Sequence, residues 1–576
     1  MQRGEPKGSV PFPVELDVPF DKQSGPPMSN SKHKGTAPQR WLHTGMAAAL
    51  MALSALAQAQ FDPAKATVEA AVVARQFPDP AETFTTPAFA PGRQDFTSHA
   101  EVFSFLDALA RRSAHITIHT VGRSQQGRAM ALAVLAAPRG FDARLPTVLL
   151  LAQQHGNEPA GGEAALVLAQ RLALERSALL ERVNVVIMPR ANPDAAERFA
   201  RETANGIDVN RDHLLLRTPE AQAIAAAVQR HSPQVVLDLH EFTVAGRWVS
   251  KFGAVMRADA LLQAATVGNL SPGVQAAQGR YLAAARNALE VAGHRVDDYH
   301  TTSAEATDLR VAMGGVNADT GRNVGGLRQS ISLLLETRGV GLGRAHYARR
   351  VQSHVLATLA VIEAAAQDGP ALVQLQHEAG ASAASLACSG MVAVVVRQVP
   401  QRRNLNFLDA QSGAPRDVDV LWLSSQQLQL ERERTRPCGY LMAADQHLAV
   451  QRLRALGIAV TTLATPLPAT PWEVEDFVLE SEAAGQRQDA RGAIADSQGD
   501  IRVLRVRTQP SRLVPAPGSH YVTLNQPLAA LVSAALEPDS QNSFVANRLL
   551  AIDAGQLRRV MRPPPAGVTQ PTRANP

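Results

Sequence analysis

One stretch constrains this chain more than any other: Thr147-Val148-Leu149-Leu150-Leu151-Ala152-Gln153-Gln154-His155-Gly156-Asn157-Glu158-Pro159. Its first six residues form a Val/Leu run that is apolar on both faces, the pattern of a strand buried within a sheet. The run stops at a polar turn carrying an imidazole and a carboxylate three positions apart. That spacing is short enough for both to converge on one metal ion. In open α/β sheets ligands collect outside the carboxyl ends of strands, so the turn reads as the first half of a metal site. His-x-x-Glu is common by itself, and the reading depends on what the rest of the chain supplies.

The chain has 576 residues and 45% hydrophobic content, enough for a packed core and about two folded units. Its net charge of +5 comes from scattered arginines. With 4% aromatic residues and no basic stripe, nucleic-acid binding is excluded as a working class. Residues 1–59 read as an upstream extension followed by a signal peptide. The sequence before Met28 is Pro/Gly-rich and patternless. From Met28 come basic residues, an apolar run from Met46 to Ala57, and the small-x-small site Ala57-Gln58-Ala59. The run is too short to span a bilayer, so the expectation is a secreted or periplasmic protein without stable membrane insertion. A retained N-terminal anchor is the alternative. Two cysteines, Cys388 and Cys438, exclude a thiolate metal site and leave a disulfide and two buried thiols both open.

Along the chain, residues 60–95 read as a surface arm. Ser98 and Glu101 form a capping box ahead of a helix with an apolar stripe at Val102, Phe105, Leu106 and Leu109. Strands at 116–121 and 130–136 flank the Gly-bearing turn 122–128, a hairpin. Further strands are read at 183–188, 235–239 and 331–335. Helices are read over 162–174, 219–230, 260–292 and 346–366, with 297–329 irregular. The alternation predicts an α/β catalytic domain over 96–367, with a mixed central sheet flanked by helices. Residues 368–562 read as a smaller α/β or β-rich region without a catalytic cluster, and 563–576 as a disordered tail.

A catalytic zinc needs three protein ligands and an open position for water. His155 and Glu158 supply two, and His240, at the end of the 235–239 strand, is the third candidate. Amide hydrolysis also needs a base, and Glu336, at the end of the 331–335 strand, is its candidate, with its acidity weakened by an apolar setting. Between them, Arg201 and Arg211 could meet a developing oxyanion or a substrate carboxylate.

These residues, in order, carry a resemblance. Gly122-Arg123-Ser124-Gln125-Gln126-Gly127-Arg128, His155-Gly156-Asn157-Glu158, Asn192-Pro193-Asp194, Arg201, Asn205-Gly206-Ile207-Asp208-Val209-Asn210-Arg211, His240 and Glu336 resemble the carboxypeptidase A-like zinc metallocarboxypeptidases over residues 95–365. The resemblance implies Zn2+ held by His155, Glu158 and His240, with Glu336 as general base. It implies Arg201 at the scissile carbonyl, and Asn210 and Arg211 binding the free C-terminal carboxylate of a peptide substrate. The implied activity is hydrolysis of C-terminal peptide bonds by a zinc-activated water. The alternative is a zinc amidase or deacylase acting on cell-wall peptides or another amide. Three departures stand out: 300–335 contains no tyrosine where the family places its substrate-covering one, Glu241 follows His240, and two arginines, Arg322 and Arg328, lie in the expected pocket-lining stretch.

Overall fold

The computed structural model describes residues 61–464, 470–492, 500–552 and 555–565. The expected leader (1–59), half of the 464–473 linker and most of the 563–576 tail lie outside them. The architecture is mixed α/β. Its first eleven strands are β1 (Ile116–Arg123), β2 (Ala129–Leu135), β3 (Thr147–Ala152), β4 (Asn184–Met188), β5 (Val235–Thr243), β6 (Ala254–Val255), β7 (Ala260–Ala264), β8 (Val296–Asp298), β9 (Thr301–Thr302), β10 (Arg310–Ala312) and β11 (Ile331–Val340). Eight of them make the central sheet in the order β1-β2-β4-β3-β5-β11-β7-β8. Strands β4, β3, β5 and β11 run parallel in its middle; β2 and β1 join antiparallel at one edge, and at the other β7 is antiparallel to β11 and β8 parallel to β7.

Both faces of this sheet are covered, which explains why β3 and β4 are apolar throughout. Val148, Leu150 and Ala152 point into a core shared with helices His99–Arg112, Pro159–Leu174, Pro272–Val291 and Tyr347–Asp368. Leu149 and Leu151 point the other way, onto Ala223, Ile224 and Ala227 of helix Pro219–His231. The Ser98–Glu101 capping box forms, and so does the hairpin around 122–128. The arm is anchored by buried Phe61, Val73, Phe77 and Phe84. Its Glu69 pairs with Arg338 at 2.9 Å.

Three local expectations change. Residues 260–264 are a strand: both faces are buried between β11 and β8, and helix begins only at Pro272. The 297–329 stretch holds short strands and the helix Gly321–Leu327. The strands expected to end before His240 and Glu336 continue through them, to Thr243 and Val340. Backbone pairing does not stop where the apolar run stops.

Beyond Asp368 come helix Pro370–Ser385 and strands β12 (Met391–Asp409), β13 (Pro415–Thr435), β14 (Gly439–Met442), β15 (Thr461–Thr462), β16 (Trp472–Gln486), β17 (Asp500–Leu513), β18 (His520–Thr523) and β19 (Leu557–Val560). β12 and β13 form a long ribbon that pairs with β6 at its turn end and with β10 along β13, giving a sheet ordered β6-β12-β13-β10-β9. A third sheet runs β15-β18-β14-β19-β16-β17. Its core merges Tyr440, Leu453, Val522 and Leu531 with Leu214, Leu215, Val324 and Leu327 from the first half of the chain. The described residues all belong to one compact unit. Cys388 and Cys438 are joined in a disulfide. Among the described residues no single helix is long and apolar enough to cross a membrane. The bent pair Tyr347–Asp368 and Pro370–Ser385 passes such a test only jointly, across an 85° break.

Candidate metal centre

The site lies at the carboxyl ends of the parallel strands. After β3 the chain leaves the sheet through Gln153, whose φ of 52° lies in the left-handed region, and turns to present His155. Gly156 permits this turn, because a Cβ there would run into the Ala195 carbonyl group of the helix Pro193–Glu197. Glu158 then precedes Pro159, the first residue of the next helix.

On β5 the two-residue period decides which side chains meet. Val235, Leu237 and Leu239 enter the helix-covered core, so Asp238 and His240 share the opposite face. Glu336 on β11 lies opposite His240 in register, on the same side of the sheet. The side chains of His155, Glu158 and His240 thereby converge, with one potential ligand atom from each lying within 4.8 Å of the others. Glu158 Oε1 is 2.8 Å from His155 Nδ1, Glu158 Oε2 is 2.8 Å from His240 Nδ1, and the two Nδ1 atoms are 3.1 Å apart. All three residues are buried.

The far side of each imidazole is also held. His155 Nε2 is 2.9 Å from Asp208 Oδ1, and His240 Nε2 is 2.7 Å from Asp238 Oδ1. A carboxylate at Nε2 favours the N–H there and leaves the Nδ1 lone pair for a cation. Two imidazoles and a carboxylate, with both rings oriented from behind, fit a divalent transition metal such as zinc. Asp208 and Asp238 were not singled out from the sequence. Their signals were there: Asp238 is two residues from His240, and Asp208 lies within the Asn205–Arg211 segment.

Arg201 joins the cluster. It donates to Asp208 Oδ2 from Nη2 at 2.8 Å and reaches Glu158 Oε1 from Nη1 at 3.4 Å. Asp208 thus bridges Arg201 and His155, and the Arg201 guanidinium beside it, against burial, holds its carboxyl well below the usual range. Asn210 directs its amide inward, accepting the Gly321 N–H at 2.9 Å and lying 3.3 Å from Asp238. Its main-chain carbonyl accepts a hydrogen bond from Arg211 Nη1 at 2.7 Å. Glu336 is 7% exposed and makes no hydrogen bond among the described residues. Burial, and next the nearby Glu158 charge, push its carboxyl up to about 8.

A cavity of about 310 Å³ opens at this cluster and is lined by six of the seven sequence-predicted site residues; the seventh, His240, meets it through its contacts with His155 and Glu158. It also resolves the three departures. Tyr299, the residue directly before the tyrosine-free stretch 300–335, lines the cavity from the turn between β8 and β9. Glu241 points to the opposite face of β5, where it pairs with Arg350 at 2.6 Å and accepts the Ala160 N–H at 3.0 Å. Of the two arginines, Arg322 lines the cavity, whereas Arg328 is bonded to the Leu456 carbonyl, away from it.

The C-terminal half also reaches the cavity. Past the end of β16, Asp489, Ala490 and Arg491 form part of its wall. Arg487 donates to the Arg211 carbonyl at 2.8 Å, and Asp489 lies 3.8 Å from the Arg211 guanidinium. The pattern of 368–562 gave no signal for this, because the contact joins residues nearly three hundred positions apart.

A family model described as zinc carboxypeptidase matches residues 102–248. Carboxypeptidase 2 of Trichophyton rubrum is 28% identical over 494 residues, covering 83% of this chain and 90% of its own. Carboxypeptidase Z of Homo sapiens is 30% identical over 136 residues, 20% of this chain and 21% of its own. Among solved structures, a carboxypeptidase A from Helicoverpa armigera overlaps 48% of this chain and 74% of its own, with TM-score 0.37 and 16% identity. A metallo-carboxypeptidase from Pseudomonas aeruginosa overlaps 46% of this chain and 68% of its own, with TM-score 0.35 and 23% identity.

Proposed function

We propose, on the premise that residues 102–248 match the zinc carboxypeptidase family model, that the chain removes C-terminal residues from peptides, using zinc held by His155, Glu158 and His240. The observation that carries this reading is the convergence of three buried ligand atoms beside Glu336, a buried carboxyl without a hydrogen bond of its own. Zinc in such a site supplies Lewis acidity and brings the pKa of water to about 7.

The remaining chemistry belongs to the chain. Glu336, as a carboxylate, takes a proton from the attacking water and delivers it to the departing amine. Its raised pKa suits both halves of that task, since it accepts and returns a proton near neutrality. Arg201, fixed by Asp208, steadies the oxyanion that develops on the scissile carbonyl. Arg211 grips the free carboxylate of the substrate, and Asn210 sets its position. Tyr299 and Trp248 wall the cavity and exclude water from the leaving residue. An amidase acting on cell-wall peptides or another amide would share the metal and the base but has no use for a carboxylate-gripping arginine. Export to an oxidising compartment is supported by the leader pattern of residues 1–59 and by the Cys388–Cys438 disulfide.

The test is digestion of a mixed peptide library with and without a chelator, read by mass spectrometry. Single residues lost from C-termini only in the untreated sample are expected. Internal cuts, or trimming that survives complete metal removal, would refute the assignment.

A further inference from the structure

Five arginines line the cavity: Arg201, Arg211, Arg247, Arg322 and Arg491. Their partners divide them. Arg201 is paired with Asp208 at 2.8 Å and Arg491 with Asp489 at 2.5 Å. Arg211 is reserved for the substrate's terminal carboxylate. Arg247 and Arg322 remain, and both find only neutral acceptors. Arg247 donates to the Thr302 carbonyl at 2.7 Å. Arg322 donates to the Gly315 carbonyl at 2.8 Å and to Asn323 Oδ1 at 3.3 Å. Neither forms an ion pair among the described residues.

The acids of the cavity cannot supply the missing charge. Glu158 belongs to the donor triad, Glu336 is the proposed base, Glu241 is paired with Arg350 and Asp489 with Arg491. Yet Arg322 is only 2% exposed, and burial pushes its guanidinium down to about 10. A buried cation facing neutral carbonyls is costly until an anion joins it. The chain also makes room for this guanidinium: a Cβ on Gly314 would collide with it. Arginine's planar fork matches a carboxylate with two parallel hydrogen bonds.

We propose that the residue this enzyme removes is acidic, with its side-chain carboxylate taken by Arg322 and Arg247 while Arg211 takes the terminal one. The inference rests on the carboxypeptidase reading above and narrows its substrate class. A lysine or arginine in the same place would meet two like charges. A phenylalanine would leave the buried Arg322 and the half-buried Arg247 both unneutralised.

The test uses the full chain loaded with zinc and a peptide series differing only in the last residue: Glu, Asp, Gln, Phe or Lys. The expected kcat/KM for Glu exceeds that for its neutral isostere Gln by at least about 30-fold, with Lys slowest. In Arg322→Gln, and separately in Arg247→Gln, the Glu-to-Gln ratio is expected to fall about tenfold or more. Because it is a ratio within one preparation, partial misfolding cancels. Calorimetry with free L-glutamate and L-glutamine, which needs no turnover, is expected to show tighter binding of glutamate. Faster release of Phe or Lys, or a Glu-to-Gln ratio unchanged in both variants, would overturn the acidic preference while leaving a carboxypeptidase. Release of nothing from any peptide would overturn the underlying reading as well.

Discussion

Glu336 has the setting a proton shuttle needs: buried, without a hydrogen bond among the described residues, and in register with His240. Glu336→Gln is expected to retain zinc and lose at least about 100-fold in kcat, measured on a C-terminal glutamate peptide beside metal analysis. Full activity in that variant would remove Glu336 from the reaction. The pH profile carries a second signature. The base works as a carboxylate, so activity rises with pH as Glu336 deprotonates. Burial and Glu158 push its pKa up, to about 8 without metal, and a bound cation attracts the negative form and pulls it back down. The acidic limb is therefore expected above the ordinary Glu value of about 4.3 and absent from the residual activity of Glu336→Gln. Behind the triad, Asp238 and Asp208 orient the two imidazoles. Asp238→Asn is expected to weaken zinc about 10- to 100-fold in a competition titration, without the larger loss that removing a ligand brings. Unchanged affinity would show that Asp238 does not act through His240.

The two faces of β5 divide the work of the element. Asp238 and His240 serve the metal side, while Glu241 turns away to a buried ion pair with Arg350. Removing one partner of such a pair leaves a charge without compensation and costs about 3–5 kcal/mol. Arg350→Met is therefore expected to lower the midpoint of thermal unfolding clearly. The double variant with Glu241→Gln should recover part of the loss, because no buried charge then remains. A double variant no more stable than the single one would count against the pair as the cause. At this scale much was legible in advance. The Ser98 capping box, the 116–135 hairpin and the apolar strands were all readable, since each depends on residues close in sequence. The strand Ala260–Ala264 was not, because a short apolar run next to a helix looks alike in either state until its partner β11 is known. The long ribbon β12–β13 was read only in fragments, as much of its surface is exposed and polar.

Across the whole molecule, the C-terminal half is built into the first. β13 extends β10, the third sheet shares a core with Val324 and Leu327, and Asp489 closes on Arg211. A chain cut after Asp368 is expected to be insoluble or inactive, since it exposes the β10 edge and the Leu214–Leu216 side of that core. A soluble, active fragment would show the later residues to be dispensable. Metal links the site to global stability. Free zinc at a hundredfold above its Kd is expected to stabilise the native state by about 2.7 kcal/mol, seen as a rise in the unfolding midpoint that a chelator reverses.

The sequence alone determined the donor chemistry and the supporting α/β frame. His240 and Glu336 stand within strands, and His155 and Glu158 in the turn after one, and the apolar pattern of those strands is local and strong. It could not determine which face each neighbour takes, that Tyr299 lines the cavity, or which of Arg322 and Arg328 meets it. Those were decided by the tertiary structure, for a simple physical reason. A side chain's direction follows from pairing register and from contacts made hundreds of residues away, and neither is written in the residues beside it.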